Sequence, residues 1–359
     1  MQRIVVKVGT NTLRAQKGVD EGYIENLCGQ IAWAMREKRL QVILVSSGAI
    51  GLGKKMLGIS EEINSIAYRQ AAASIGQPFL MQTYRSTFER HGILTAQLLF
   101  SRSAFNERKS FLALRTNLET LLGAQNVLPI CNGNDSVSTS EIDEGFGDND
   151  ILSALLASKI DADLLVLLSD IDGVYTDNPK TDKDAKKIDR INSLSAFDWE
   201  AAKSTNNKYA VGGMRSKLEA ASLASRAQCD TIIADGRAEA VLKRIMQGES
   251  IGTRILSEKR ISSRKRWILQ SIAQGHLTVD GGAIDAIKAK KSLLPSGLKA
   301  VEGEFPAGAV LAVNDQAKLV TVLSSSELRS VLGRHSETIA ENLGNNKKLI
   351  ARPSDIVFY

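Results

Sequence analysis

Apolar and polar positions along the first two-thirds of the chain follow two rhythms. Five short runs are apolar almost throughout: RIVVKVG (3–9), QVILVSS (41–47), NVLPICNGND (126–135), DLLVLLSD (163–170) and DTIIADG (230–236). Runs of this length without alternation predict strands covered on both faces, as in a mainly parallel sheet. Between them the spacing changes: over residues 22–38, Ile24, Leu27, Cys28, Ile31 and Met35 recur at helical intervals and predict one buried stripe. Strands alternating with helices predict an α/β class chain, a three-layer α/β/α sandwich around a mainly parallel central sheet.

The texture changes after residue 256. Residues 257–275 read as a linker, followed by short strand-like pieces (HLTVD, AVLAVN, LVTVLSS, DIVFY) separated by Gly, Pro and Asn turns, with a helix near 326–343. The expected organisation is a first domain over 1–256, a linker over 257–275 and a small β-rich domain over 276–359. No internal repeat or low-complexity tract interrupts it.

Composition narrows the class. No apolar run approaches the roughly 18 residues that cross a bilayer, and the amino-terminal MQRIVVKVG leads directly into a strand pattern, so no membrane role and a cytoplasmic location are expected. Cys28, Cys131 and Cys229 are far apart and have no histidine beside them, which predicts core residues and neither a zinc site nor a disulfide. Of the net charge of +6, five units fall after residue 256, where 15 Lys and Arg face 10 Asp and Glu. That imbalance raises an RNA-binding reading for the C-terminal part alone, against which aromatic residues for base stacking are scarce.

The stretch SSGAIGLGKK (46–55) has the spacing G-x-x-x-x-G-K of a phosphate loop and follows a strand pattern. A Walker loop needs Ser or Thr after its lysine as a magnesium ligand, and Lys55 occupies that place. Four other stretches offer a coherent alternative. Lys7 lies among apolar strand residues just before Gly9, which suits an anion approaching the backbone, although a solvent-facing lysine on an edge strand remains an open reading. Asn132, Asn134 and Asp135 end one strand pattern, while Asp148, Asn149 and Asp150 precede a helix expected near Ile151; at least one of these is expected to act as a helix cap. Asp170 ends another strand pattern, within LLSDIDGVYTDNP. Gly212 and Gly213 precede a helical run carrying Lys217, and the amides at the N-terminus of that helix would form an anion site.

KVGTNTL, SSGAIGLG, ICNGND, GDND, LLSDIDGVYTDNP and VGGMRSKLEAA, in this order and spacing, resemble the amino acid kinase family, and within it the members that phosphorylate the side chain of glutamate. The resemblance covers about residues 1–256. The C-terminal KRWI, LTVDGGA, SLLPSGLKAVEGEF and GRHS resemble the PUA domain found behind such kinases. This implies the amino acid kinase fold and transfer of the γ-phosphoryl group of ATP to the side-chain carboxylate of L-glutamate, the first step towards proline. Lys7 and Lys217 would contact the phosphates and Asp150 would hold the lysines. Ser47, Asp135 and Asn149 match glutamate-binding positions. Lys7, Ser169, Asp170 and the segment Val211, Gly212, Gly213, Met214, Arg215, Ser216 and Lys217 match ATP-binding ones. Mg²⁺ is expected to ride on the nucleotide, with no protein metal ligand. A homo-oligomer, dimer or tetramer, and a downstream glutamyl-phosphate reductase are the implied partners. Gly133 stands where the family commonly carries glutamate. The open alternatives are a family member acting on aspartate, acetylglutamate, carbamate or UMP, and an RNA-binding PUA protein with a secondary kinase fold.

Overall fold

The computed structural model describes residues 2–15, 18–59, 65–101, 108–137, 149–177, 179, 182–194, 211–257, 263–332 and 349–359. The chain divides into two compact units, the first made of residues 1–104 and 109–260 and the second of residues 105–108 and 261–359.

The first unit contains β1 (Arg3–Val8), the hairpin β2 (Arg14–Ala15) and β3 (Gly18–Val19), β4 (Gln41–Val45), β5 (Leu94–Phe100), β6 (Val127–Gly133), β7 (Leu164–Ser169), the hairpin β8 (Val174–Tyr175) and β9 (Lys187–Ile188), β10 (Arg190–Ile191), β11 (Asp230–Asp235) and β12 (Thr253–Ile255). Eight of these form one sheet in the order β10-β12-β11-β7-β1-β4-β6-β5. Neighbours run parallel except for β11 and β12. All five predicted strands are present. Three sheet members were not predicted: the edge strand β5 and the short β10 and β12.

Because side chains alternate across a strand, β1 sorts its residues to two layers. Ile4, Val6 and Val8 join the core formed with the helix Glu21–Glu37 (Ile24, Leu27, Ile31) and with Leu80, Tyr84 and Phe88 of the helix Ile66–Arg90. Lys7 is therefore directed to the opposite layer, where the helix Asn149–Lys159 packs on β1 and on the helix Val211–Ser225. That choice of face takes Lys7 out of the core cluster of Ile4, Val6 and Val8, and its place near the strand end brings it to Asp150. The chain starts in the middle of the sheet, builds outward through β4 and β6, then returns to lay β7 on the other flank of β1. In an open α/β sheet such a reversal leaves a crevice at the strand C-termini, where ligands bind.

The Walker-like spacing receives a packing explanation. Gly53 lies within the helix Ala49–Met56, and a Cβ there would fall 1.8 Å from the Ala72 carbonyl oxygen. Gly76, on the facing helix Ile66–Arg90, would place a Cβ 1.9 Å from the Ala49 carbonyl oxygen. These two glycines let the helix backbones touch, while Gly48, at φ 99°, makes the left-handed turn from β4 into the shorter helix.

The second unit builds β13 (His276–Val279), β14 (Leu298–Glu302), β15 (Val310–Val313), β16 (Ala317–Val320) and β17 (Ile356–Phe358) into a sheet of order β14-β13-β15-β16-β17, antiparallel except for β13 and β15. Leu277, Leu311, Val313, Leu319, Leu323 and Ile350 fill its core. The strand expected in LVTVLSS begins earlier, at Ala317, and the helix expected near 326–343 spans Ser325–Ser330 with a capping box from Ser324 and Glu327; residues 333–348 lie outside those described. The span read as a linker contains the helix Ser263–Gln270, which packs on β16 and β17. Lys318 donates to the carbonyls of Leu269 and Ser271 at its C-terminal end (3.0 and 2.8 Å). Among the described residues no helix is long and apolar enough to cross a membrane.

Candidate active site

The site is built at the C-terminal ends of β1, β4, β6 and β7. Lys7 reaches across from β1 and its Nζ lies 2.5 Å from Asp150 Oδ1. Lys217, in the second turn of the helix Val211–Ser225, places its Nζ 3.1 Å from Asp150 Oδ2 and donates also to the Gly213 carbonyl at 3.1 Å. One carboxylate thus joins two ammonium groups that are 210 residues apart in sequence. All three are buried, at 5% (Lys7), 1% (Asp150) and 9% (Lys217) exposure. Two ammonium groups thus share a single buried carboxylate, an arrangement that an anionic ligand would complement.

The backbone at Gly9 runs beside this cluster. At Gly9, a Cβ would stand 3.6 Å from Lys7 Nζ and 3.6 Å from the Leu168 carbonyl oxygen. Asp170 follows β7; its carboxylate accepts from Asn11 Nδ2 at 3.0 Å and from Ser169 Oγ at 3.1 Å. Burial pushes the Asp170 carboxyl up, but the hydrogen bonds from Asn11, its own backbone N–H and Ser169, together with the Lys217 charge, outweigh it and hold the group below the usual carboxylate range. Asp170 is therefore an anion beside Lys217, tying the β1 and β7 loops together.

The helix carrying Lys217 starts at Val211, so Gly212 and Gly213 lie inside its first turn and do not precede it. Met214 and Ser216 are half-buried, while Arg215 is exposed and paired with Glu219 at 2.8 Å. That pairing runs along its own helix.

A second cluster lies beside the first, at the ends of β4 and β6. Asn149 Nδ2 lies 2.9 Å from each of the Ser46 carbonyl, Ser47 Oγ and Asn132 Oδ1, three acceptors for its two N–H groups. Asn132 Oδ1 also accepts from the Gly133 N–H at 2.9 Å, and Asn132 Nδ2 donates to Gln77 Oε1 at 2.8 Å. Ser46 Oγ and Tyr84 OH are 2.9 Å apart. A Cβ on Gly133 would stand 3.3 Å from Asp135 Oδ1 and 3.8 Å from Asn149 Oδ1, so these two acceptor oxygens flank the bare backbone at 133. Burial raises the Asp135 carboxyl above its ordinary value, against an opposing pull from the Arg69 charge.

The predicted residues thus fall into adjoining groups: Lys7, Asp150 and Lys217 with Asp170; Ser47 and Asn149 with Asn132; and Asp135 across Gly133. Asn149 and Asp150 both lie within the helix Asn149–Lys159, so Asp150 does not cap it, and its carboxylate meets the two lysines. Asp148 lies outside the described residues. Gln77 and Tyr84 were not anticipated. Their only signal was polarity on an otherwise apolar helix face. The three cysteines are buried and free.

Among the described residues no cluster of three or more His, Cys, Asp and Glu could hold a metal. Asp150 is taken up by two lysines and Asp170 by Asn11 and Ser169, so these donors do not form an all-protein magnesium cage.

A model of the amino acid kinase family matches residues 2–235, and a PUA domain model matches residues 275–343. A curated glutamate 5-kinase from Methanosarcina barkeri is 41% identical, with 96% of this chain and 93% of that protein covered. Another, from Deinococcus radiodurans, is 39% identical, with 95% of each covered. A solved structure of carbamate kinase from Giardia lamblia bound to AMP-PNP aligns with a TM-score of 0.50 at 20% identity, covering 72% of this chain and 99% of that one, a likeness of fold.

Proposed function

The chain belongs to the amino acid kinase family, and from that membership we infer the reaction named by its curated relatives: ATP-dependent phosphorylation of the side-chain carboxylate of L-glutamate to L-glutamyl 5-phosphate, the step that opens proline biosynthesis. The acceptor carboxylate, with an ordinary pKa of about 4.3, is ionised near neutrality, so no general base is needed. The obstacle is the approach of an anion to an anionic phosphoryl group. Catalysis then consists of in-line positioning and neutralisation of charge.

The observation that carries the assignment of roles is the convergence of Lys7 and Lys217 on Asp150. In this reading the two ammonium groups contact the transferring phosphoryl group, and Asp150 sets their positions. Ser169, Asp170 and residues 211–217 receive ATP. Ser47, Asn149 and Asp135 receive glutamate, the acceptors flanking Gly133 facing its ammonium group. Magnesium, bound through nucleotide oxygens and water, supplies further neutralisation of charge. Phosphoryl transfer belongs to residues 1–256. A homo-oligomer, a cytoplasmic location and a reductase that consumes the labile acyl phosphate accompany the reading.

A coupled ADP-release assay with L-glutamate, L-aspartate, N-acetylglutamate, carbamate and UMP tests it. Turnover is expected with glutamate; turnover with another acceptor and none with glutamate would overturn the substrate.

A further inference from the structure

We propose that Gln77, on the helix Ile66–Arg90, is a positioning residue for the glutamate side of the site, acting through Asn132 on Asn149 and resting on the assignment of Asn149 to glutamate made above. The helix passes behind the site and meets its strand ends at three places: Gly76 against Ala49, Gln77 on Asn132, and Tyr84 on Ser46. Of these, Gln77 alone is hydrogen-bonded to a side chain that itself holds a proposed substrate contact.

The polarity of the connection is set at both ends. The Gly133 N–H can only donate, so Asn132 must turn Oδ1 towards it. Asn132 Nδ2 then points to position 77, where only an acceptor suits it, and Gln77 supplies Oε1 at 2.8 Å. At the other end the Ser46 carbonyl can only accept, so Asn149 must offer it Nδ2, and the same group meets Asn132 Oδ1. Asn149 Oδ1 is left facing Gly133 and Asp135, as an acceptor for an ammonium group.

Asn132 is 3% exposed and Gln77 9%. Without an acceptor at 77, Asn132 Nδ2 is a buried donor without that partner, a costly state. Rotation of Asn132 towards the open site relieves it and withdraws Oδ1 from Asn149. The loss should fall on glutamate and spare ATP, because Lys7, Lys217 and Asp170 make no hydrogen bond to this chain of amides.

The test is steady-state kinetics on the full-length protein with Gln77→Met, which keeps size and removes the acceptor, and Gln77→Glu, which keeps an acceptor in either protonation state. Gln77→Met is expected to raise KM for glutamate about tenfold, with KM for ATP within about twofold of wild type. Gln77→Glu should recover most of that loss. In a double-mutant cycle with Asn132→Ala, the double variant should be no worse than Asn132→Ala alone.

Equal rises in both KM values, or no rise in Gln77→Met, would refute the positioning role. Asn149→Ala separates the two layers of the argument. If it raises KM for glutamate and Gln77→Met does not, the role of Gln77 falls while the glutamate site stands. If Asn149→Ala leaves that KM unchanged, the glutamate assignment fails and takes the role of Gln77 with it. Should Gln77→Met not fold, additive losses in Asn132→Ala with Gln77→Glu would overturn the proposal, and a full-strength Gln77→Glu would uphold it.

Discussion

Replacing Asp150 by Asn removes the one carboxylate shared by two buried lysines and leaves their charges in place. At 2.5 and 3.1 Å the gross attraction is about 5–7 kcal/mol per contact for an effective dielectric near 20. Desolvation offsets much of it, and breaking a buried pair from one side typically costs about 3–5 kcal/mol. For a unit of roughly 250 residues each kcal/mol corresponds to about 2–4 °C, so the ligand-free Asp150→Asn protein should melt about 6–20 °C below wild type. The triphosphate tail of ATP would bring to the same lysines the negative charge that the variant lacks. A non-hydrolysable ATP analogue should therefore raise the Tm of Asp150→Asn by more than it raises that of wild type, since ligand binding to the folded state alone adds stability by mass action. Turnover should still fall at least about a hundredfold, because the lysines are no longer aimed. Differential scanning calorimetry with and without the analogue reads both effects. A variant melting within about 2 °C of wild type, with the same ligand shift, would show that the lysines do not depend on Asp150, and the electrostatic argument would fail.

Lys7→Ala and Lys217→Ala should each lower kcat by at least about a hundredfold in folded protein, measured by ADP release; near-normal turnover would remove that lysine from catalysis. Asp135 has a folded pKa raised above its ordinary 3.8 by burial, so its ionisation costs stability that is lost as pH rises from that value through the folded pKa. Asp135→Asn should accordingly raise the ligand-free Tm at pH 7.5 while raising KM for glutamate; a lower Tm would contradict the sign. Asp170 is shifted the other way, so its contribution is present above about pH 4 and lost as pH falls through its lower folded pKa. Asp170→Asn should flatten the acid limb of the stability curve, read by urea unfolding between pH 3 and 6. In the helix Ala49–Met56, Gly53→Ala should destabilise by about 1–3 kcal/mol or more through contact with the Ala72 carbonyl, whereas Gly51→Ala, with nothing within 4 Å, should gain up to about 1 kcal/mol. Equal effects at the two glycines would remove the close-packing account of the Walker-like spacing.

The parts of the fold legible in sequence are those where one local signal suffices. β1, β4, β6, β7 and β11 are central strands buried on both faces, and their unbroken apolar runs fix them to within two residues at either end. β5 escaped because it is an edge strand in which Leu94, Gln97 and Leu99 are exposed, so its composition mixes core and surface. β10 and β12 are two and three residues long, too short to carry a period, and only their pairing defines them. Gly53 shows the converse error to which motif spacing is open. A glycine required by a neighbouring helix 19 residues away has the same letter as one required by a phosphate.

The site divides along the same line. Lys7 stood out because a charge inside an apolar run needs a reason, and Lys217 because it sits at the helix end where a cation is least favoured. Neither signal says that the two lysines meet. That follows from strand alternation, which sends Lys7 to the layer opposite Ile4, Val6 and Val8, and from the order in which β7 returns beside β1, which brings the helix bearing Lys217 to the same face. Gln77 left almost no trace, since a glutamine on a helix is ordinarily a surface residue. Its partner lies 55 residues away on another element, and only the burial of Asn132 turns an unremarkable amide into one whose removal has a measurable consequence. A lone charge in an apolar run thus stands out from sequence, as Lys7 does, whereas the connection of the neutral amides Gln77, Asn132 and Asn149 becomes visible only once the strand ends are placed together.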